Sequence, residues 1–299
     1  MIFKKLWFLS LLLAHNLIAD QVKEREMVIV IPSYNNEKWY AMNLESALEQ
    51  NYGNFRIIYI NDCSTDATGG RVEQYLKLKR PGSYRVISFD GSASQNIPEV
   101  TAIFKDAVNR EEVFFTLVNN TTRCGALENL YRGIQSCNNQ EIVITLDGDD
   151  WFPHDEVLKK INEVYASGEI WMTHGRLVEY PHGTDVWCEP VPPELVASNR
   201  VRQFKCPSHL RTFYAWIFKK IALEDLLYKG KFFPMTWDMA MMYPMLEMAG
   251  ERHAFVSEVN YVYNMDNPIN DGKVDRDLQN ELDRVIRNMK PYQRLEKAE

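Results

Sequence analysis

From Met27 onward the chain alternates two textures: short runs of Val, Ile, Phe and Tyr, and longer stretches in which apolar residues recur every third or fourth position. The first texture predicts strands at 27–31, 55–60, 84–89, 113–118 and 141–146, because β-branched and aromatic side chains suit a pleated, buried surface. The second predicts helices at 37–50, 66–78, 100–108 and 126–136, each with an apolar stripe to lay against those strands. Strand and helix taking turns requires crossover connections. The expected fold class is therefore α/β, a mostly parallel sheet flanked by helices.

Beyond residue 150 the pattern changes. Pro153 suits the first turn of a helix, and Val157, Leu158, Ile161 and Val164 follow at helical spacing. Trp171, Trp187, Trp216 and Trp237 are then spread through a region holding Pro181, Pro190, Pro192, Pro193 and Pro207, which predicts an irregular half of long loops and short strands. Charge dominates the stretch from 275 to 299, yet Leu278, Leu282, Ile286 and Met289 fall on one helical stripe, so a helix with a frayed end is expected. The chain divides into a leader at 1–20, a first half at 27–160, a second half of the same domain at 161–275, and a charged C-terminal helix or tail at 276–299.

A chain of 299 residues, 45% hydrophobic and 25% charged, can bury a full core. Its net charge of -7 argues against general nucleic-acid binding, since a phosphate backbone demands a basic footprint, and Lys77, Lys79 and Arg80 read as a solvated helix end. Cys63, Cys124, Cys137, Cys188 and Cys206 have no paired spacing and read as free thiols, which favours a reducing compartment. The N-terminus points the other way. Lys4 and Lys5 precede an apolar run at 6–14, interrupted by His15 and Asn16, the layout of a signal peptide or a weak membrane-proximal anchor. The run is shorter than the ~20 residues that span a bilayer, and it lacks a good cleavage site. Secretory, periplasmic or membrane-associated placement is expected from the leader, and cytoplasmic placement is the alternative.

The densest chemistry lies where 142–146 runs directly into Asp147-Gly148-Asp149-Asp150. Three carboxylates at the exit of a buried strand repel one another, and a hard divalent cation is their simplest partner. In open α/β sheets, ligands sit at such exits. Two further exits on the same edge are Pro32-Ser33-Tyr34-Asn35 and Asn61-Asp62-Cys63-Ser64-Thr65-Asp66. A planar base can lie on Tyr34, and Asp62 can accept a hydrogen bond from a ring N–H or a ribose hydroxyl. An Asx turn or helix cap by Asp62, Ser64 or Asp66 would use the same residue types. Asn119 and Asn120 head formal N-glycosylation sequons, at a strand exit where occupancy is not expected.

Read in order, Pro32 to Asn35, the stretch Ser46-Ala47-Leu48-Glu49-Gln50-Asn51-Tyr52 before the second strand, Asp62 to Asp66, and Asp147 to Asp150 resemble the family 2 glycosyltransferases over residues 27–160. The resemblance implies a GT-A fold, the Rossmann-like fold of nucleotide-diphospho-sugar transferases. It implies a nucleotide site containing Pro32, Tyr34, Asp62 at the base and Asp147 near the ribose, with Asp149 on a Mn²⁺ or Mg²⁺ that bridges the donor diphosphate. Arg123, within Thr121 to Asn129, matches a segment that often carries Arg beside the nucleotide, although Leu127 and Glu128 depart from the usual pattern; a surface ion pair is its other reading. Asp238, the one acid in the aromatic segment from Phe233 to Met239, resembles the base that deprotonates an acceptor hydroxyl, with desolvation raising its basicity; a helix N-cap is its other reading. His209 or Arg211 would clasp the diphosphate. Trp216 or Trp237, if exposed, would stack on a sugar ring.

The implied function is metal-assisted, inverting sugar transfer from a nucleotide-sugar donor, a UDP-sugar first among them, to a glycan, lipid or protein acceptor that the sequence does not name. Two other classes remain. A phosphatase of the haloacid-dehalogenase type also opens with strand-D-x-D, but its pattern continues into Thr or Val where this chain has Trp151. A non-catalytic nucleotide-sugar or glycan-binding module would keep the fold and lack the base.

Overall fold

Strand β1, Met27–Ser33, is buried along its whole length, and its side chains separate by parity. Val28 and Val30 join one hydrophobic cluster, while Met27, Ile29 and Ile31 join another on the opposite face. The same division places Ile58 and Ile60 against Ile57 and Tyr59 in β2, Phe55–Asn61, and Val143 against Ile142 and Ile144 in β5, Ile142–Thr145. A strand buried on both faces cannot alternate apolar with polar residues, which is why these segments read as continuous apolar runs. The computed structural model describes residues 23–92, 96–110, 113–185, 188–205 and 207–298, so the leader at 1–20, Trp187 and Cys206 lie outside it.

The remaining strands are β3, Tyr84–Phe89, β4, Phe115–Asn120, β6, Met172–Tyr180, β7, Thr184–Asp185, β8, Thr212–Tyr214, β9, Leu227–Tyr228, β10, Lys231–Phe232, and β11, His253–Asn264. The main sheet runs β11-β6-β8-β5-β1-β2-β4-β3, with β7 paired on β6; β9 and β10 form a separate pair. Every pairing along that path is parallel except those of β8, which is antiparallel to β5 and β6. The expected mostly parallel α/β sheet is what the chain forms.

Helices cover both faces. On one lie α1, Tyr40–Leu48, α2, Thr68–Lys79, and α5, Val157–Ala166, which contribute Leu44, Leu76 and Ile161 to the core. On the other lie α3, Ile97–Asn109, and α4, Ala126–Ser136, with Phe104 and Leu130. Pro153 sits in the loop before α5 rather than in its first turn. That helix start is held from outside: Gln50 accepts from the Leu158 N–H at 3.1 Å and donates to the His154 carbonyl at 2.8 Å, while the Asn51 N–H reaches the Asp155 carbonyl at 2.8 Å. Gln50 therefore satisfies the Leu158 N–H, a first-turn donor of α5 that the N-cap residue Glu156 leaves without a side-chain cap, and the pair anchors the loop ahead of it.

The second half is less irregular than its prolines imply. β6 and β11 are the long parallel pair that extends the sheet, and only β7 to β10 are short. Three short helices, α6, Pro193–Ala197, α7, Ala215–Phe218, and α9, Asp271–Val274, link the larger elements. Helix α8, Trp237–Ala249, is buried nearly all round, as a helix apolar on every face must be. Trp216 lies edge-on to Trp171 in the core at 2% exposure, so it is not a sugar-stacking platform. The C-terminal segment forms α10, Arg276–Arg287, with Leu282 and Ile286 fully buried. Its continuation is not frayed: the Leu295 N–H bonds the Met248 carbonyl at 2.9 Å, and Arg294 bonds the Val196 carbonyl at 2.6 Å. Among the described residues no helix is long and apolar enough to cross a membrane.

Candidate functional site

The parallel register puts the exits of β1, β2 and β4 level, with Ser33 opposite Asn61 and Asn61 opposite Asn119. The β5 exit is drawn to them by two backbone bonds, Leu146 N–H to Val30 at 3.2 Å and Gly148 N–H to Pro32 at 3.0 Å. This approach requires glycine at 148: a Cβ there would stand 2.5 Å from Ser33 Cβ and Oγ. The exits open into a cleft of about 590 Å³ that is closed on its far side by the loop before β8, the start of α8 and one face of α10.

The three acids after β5 do not act as a unit. Asp150 is 1% exposed and turns away from the cleft, accepting from the Tyr261 hydroxyl at 2.6 Å and the Asn264 N–H at 2.7 Å. Burial, then the charges of Asp149 and Asp147, hold its carboxyl well above the usual range. It fastens the loop to β11. Asp147 and Asp149 line the cleft. Burial, opposed by Arg211 and reinforced by Asp238, raises Asp147 to about 6; burial and then the Asp147 charge raise Asp149 to about 6. Asp149 accepts from Asn267 at 2.7 Å. Among the described residues no three His, Cys, Asp or Glu side chains form a ready-made metal cage.

On one side of these acids, Pro32, Tyr34, Asp62 and Arg123 line the same cleft. The Arg123 guanidinium lies over the Tyr34 ring at 3.8 Å from its centroid, so the two expected nucleotide contacts cover each other. Asp62 is 3% exposed and accepts from the Cys124 N–H at 2.9 Å, the Gly125 N–H at 2.8 Å and the Asn120 amide at 3.0 Å. Its carboxylate holds the loop that carries Arg123. Asp66 makes the Asx-type turn instead, accepting from the Thr68 N–H at 2.9 Å just ahead of α2, whose N-cap residue is Ala67. Asn120 is buried between Asp62 and Asn129, consistent with an unoccupied sequon.

On the other side stand His209, Arg211 and Asp238. Arg211 Nη2 donates to Asp238 at 2.7 Å, its Nε donates to the Pro207 carbonyl at 3.0 Å, and its Nη1 lies 2.7 Å from His209 Nε2. Because Arg211 can only donate, His209 Nε2 accepts and Nδ1 carries the proton. Burial first and the Arg211 charge second hold His209 well below its ordinary pKa, so its 3.7 Å approach to Asp147 is not an ion pair and it offers no cation to a diphosphate. Its ring stacks on Tyr261 at 4.3 Å. Asp238 occupies the first turn of α8, where Thr236 is the N-cap residue; Asp238 is not that cap. Nor is its setting purely apolar, since it meets a guanidinium and its side chain keeps 24% exposure.

Sequence reading missed several groups that shape the site. Asn43, fully buried on α1, donates to the carbonyls of Asp147 at 2.9 Å and Asp150 at 2.7 Å and fixes the turn between them. Tyr261, Asn264 and Asn267 arrive from β11 and the turn after it, and Gln279, Asn280 and Asp283 from α10. The Asn-rich stretch from 264 to 270 carried a turn signal. Nothing in it pointed to residues more than a hundred positions earlier.

Residues 28–96 match the family model described as Glycosyl transferase family 2. Over 68 residues the chain is 34% identical to an uncharacterized glycosyltransferase of Rickettsia bellii (strain RML369-C), a match covering 23% of this chain and only 10% of that protein. Among solved structures, S. aureus TarS 1-349 aligns with a TM-score of 0.55 at 16% identity, covering 80% of this chain and 60% of that one, so the match spans less than two thirds of its length. Mannosyltransferase PcManGT from Pyrobaculum calidifontis, in complex with GDP-Man and Mn²⁺, aligns with a TM-score of 0.50 at 15% identity over 83% of this chain and 59% of that one. Glucosyl-3-phosphoglycerate synthase from Mycobacterium tuberculosis, in complex with Mn²⁺, UDP and glucosyl-3-phosphoglycerate, aligns with a TM-score of 0.50 at 16% identity over 88% and 77%. At these identities the likeness establishes the fold, which is GT-A.

Proposed function

We propose that this GT-A chain is an inverting glycosyltransferase that moves a sugar from a nucleoside-diphosphate donor, a UDP-sugar first among them, to an acceptor hydroxyl. One observation carries the reading: Asp147 and Asp149 enter a single cleft between the Tyr34, Asp62 and Arg123 wall and Asp238. The neighbours bound to UDP or GDP-Man with Mn²⁺ support the nucleotide-donor and metal parts of the reading. In this reading residues 27–160 form the donor half and 161–275 the acceptor half. The leader at 1–20 would place the enzyme in the secretory route, the periplasm or at a membrane.

The donor set suits a hard divalent ion. Asp149, with Asp147 beside it, supplies carboxylate oxygens whose pKa values are raised first by burial and then by neighbouring carboxylates, Asp238 for Asp147 and Asp147 for Asp149. Mg²⁺ and Mn²⁺ are commonly held by one or two carboxylates together with substrate phosphates, so a complete protein cage is not required. When bound, the ion would supply charge neutralisation at the diphosphate. Pro32 and Tyr34 would bound the base, Arg123 would move from Tyr34 to the nucleotide, and Asp62 would keep that loop in place.

At the other end, Asp238 would take the proton of the acceptor hydroxyl. The acceptor oxygen forms a bond to the anomeric carbon, the bond from that carbon to the diphosphate oxygen breaks, and its electron pair leaves with the nucleoside diphosphate. Arg211 orients the Asp238 carboxylate and would place positive charge near the leaving group. Purified protein should be heated and assayed with UDP-, GDP- and CMP-sugars, with and without Mn²⁺ or Mg²⁺. A matching donor should raise the melting temperature and release nucleoside diphosphate, and Asp149→Ala should abolish both. Equal turnover by wild type and Asp149→Ala would sink the metal assignment.

A further inference from the structure

We propose that the face of α10 turned to the cleft reads the acceptor, and that the acceptor is an uncharged carbohydrate rather than a phosphate- or carboxylate-bearing molecule. This rests on the transferase reading above. Helix α10 is built to hold one face still. Leu282 and Ile286 are fully buried, and the Ile286 carbonyl accepts from Arg202, a buried side chain that grips Glu247 with two bonds of 2.6 and 2.9 Å. Arg287 is fixed in turn to the carbonyls of Arg202 at 2.5 Å and Phe204 at 2.7 Å. The adjoining face brings Gln279, Asn280 and Asp283 to the cleft, which Trp237 at the start of α8 and Glu179 at the end of β6 also line.

The chemistry of that wall is selective. Amides and a carboxylate offer donors and acceptors to hydroxyl groups, and the half-buried Trp237 offers an aromatic surface to the apolar face of a sugar ring. Charge decides against an anion. The residues lining the cleft include Asp62, Asp147, Asp149, Glu179, Asp238 and Asp283 against two cations, Arg123 and Arg211; Arg211 is already paired with Asp238, and Asp283 is paired with Arg287 on its own helix. The donor diphosphate and its metal would engage the β5 end; with Asp238 and Asp283 each holding an arginine, the acceptor end keeps the charge of Glu179 and presents an anion with cations that already have carboxylate partners. Of the cations beside this end, Arg287 is held on Asp283 at 2.9 Å, Lys273 donates to the carbonyls of Met265 and Asn267, and Arg276 opens on a smaller adjoining hollow.

Binding of unlabelled neutral oligosaccharides, and of the same oligosaccharides carrying a uronate or a phosphate, can be followed on the full chain by saturation-transfer NMR without donor. Neutral ligands are expected to bind about tenfold tighter than their acidic counterparts, and Asn280→Ala to weaken them by about tenfold, the scale of one hydrogen bond. Asp283→Asn should narrow the neutral-to-acidic gap to about threefold. With donor present, Asn280→Ala should raise the acceptor KM and leave the donor KM in place. Asn280 is exposed, so its variant reports recognition rather than folding, and an unchanged melting temperature checks this. Acidic ligands binding equally or more tightly, or unchanged binding by Asn280→Ala, would overturn the proposal. Absence of donor binding would overturn only the transferase reading, because the oligosaccharide titration needs no donor.

Discussion

Two adjacent carboxylates, Asp149 and Asp150, should fail in opposite ways when removed. Asp150→Ala strands the Tyr261 hydroxyl and the Asn264 N–H, which approach it at 2.6 and 2.7 Å in a site shut from solvent. Two lost bonds, with buried donors left unsatisfied, amount to ~3 kcal/mol. For a chain of this size that lowers the melting temperature by about 5 °C. Asp150→Asn should cost less, ~1–2 kcal/mol, because Oδ1 still accepts from Asn264, while the NH₂ group reverses the bond to the Tyr261 hydroxyl, which donates to the native carboxylate. Asp149→Ala loses a single bond, from Asn267, and relieves repulsion with Asp147, so its unliganded stability should stay within ~1 kcal/mol of wild type. Thermal unfolding of the three variants, alone and with nucleotide sugar and Mn²⁺, separates the cases. Asp150→Asn should retain the donor-induced rise in melting temperature, and Asp149→Ala should lose it. Wild-type stability in Asp150→Ala, or equal collapse of Asp149→Ala and Asp150→Ala, would refute the division of labour.

Three further outcomes follow from the geometry. Asp238→Asn should keep the donor-induced rise in melting temperature while turnover falls by roughly 10²–10⁴, the usual contribution of a general base; a loss of less than about tenfold would remove Asp238 from that role. Gly148→Ala should destabilise by ~1–3 kcal/mol in chemical denaturation, because the new methyl meets Ser33 at 2.5 Å and the Asn36 amide at 2.8 Å. His174 is fully buried on β6, with neither ring nitrogen hydrogen-bonded, and burial, the neighbouring His253 and Arg211 hold its pKa at about 3. The unfolded chain gains a proton on this residue below its ordinary pKa near 6.5, whereas the folded chain refuses it until about 3, so stability is lost as pH falls through that window. Asp147 and Asp149, with folded values of about 6, work in the opposite direction between about 6 and 4. The comparison is therefore wild type against His174→Phe: the variant should lose ~2–3 kcal/mol less between pH 7 and pH 4.5, and parallel stability curves would refute the assignment.

The sequence by itself determined the alternation of strands and helices through residue 166, because each element there is specified by local periodicity: a run such as 27–31 has no polar position at which to face water. It also marked Asp147, Asp149, Tyr34 and Asp62, since strand exits in a parallel sheet share one edge and those exits were visible as turn-prone polar segments, whereas Arg123 was marked by resemblance to a family segment. Chain order said nothing of how the acids divide. Only the arrival of Tyr261 and Asn264 from β11, more than a hundred residues later, makes Asp150 a structural bolt and leaves Asp147 and Asp149 to the cleft. The same holds for Arg211 on Asp238 and for the α10 face carrying Asn280 and Asp283. Periodicity is a property of neighbours along the chain and can be read from one sequence. A hydrogen bond between residues a hundred positions apart depends on how the elements pack, and only the tertiary structure decides it.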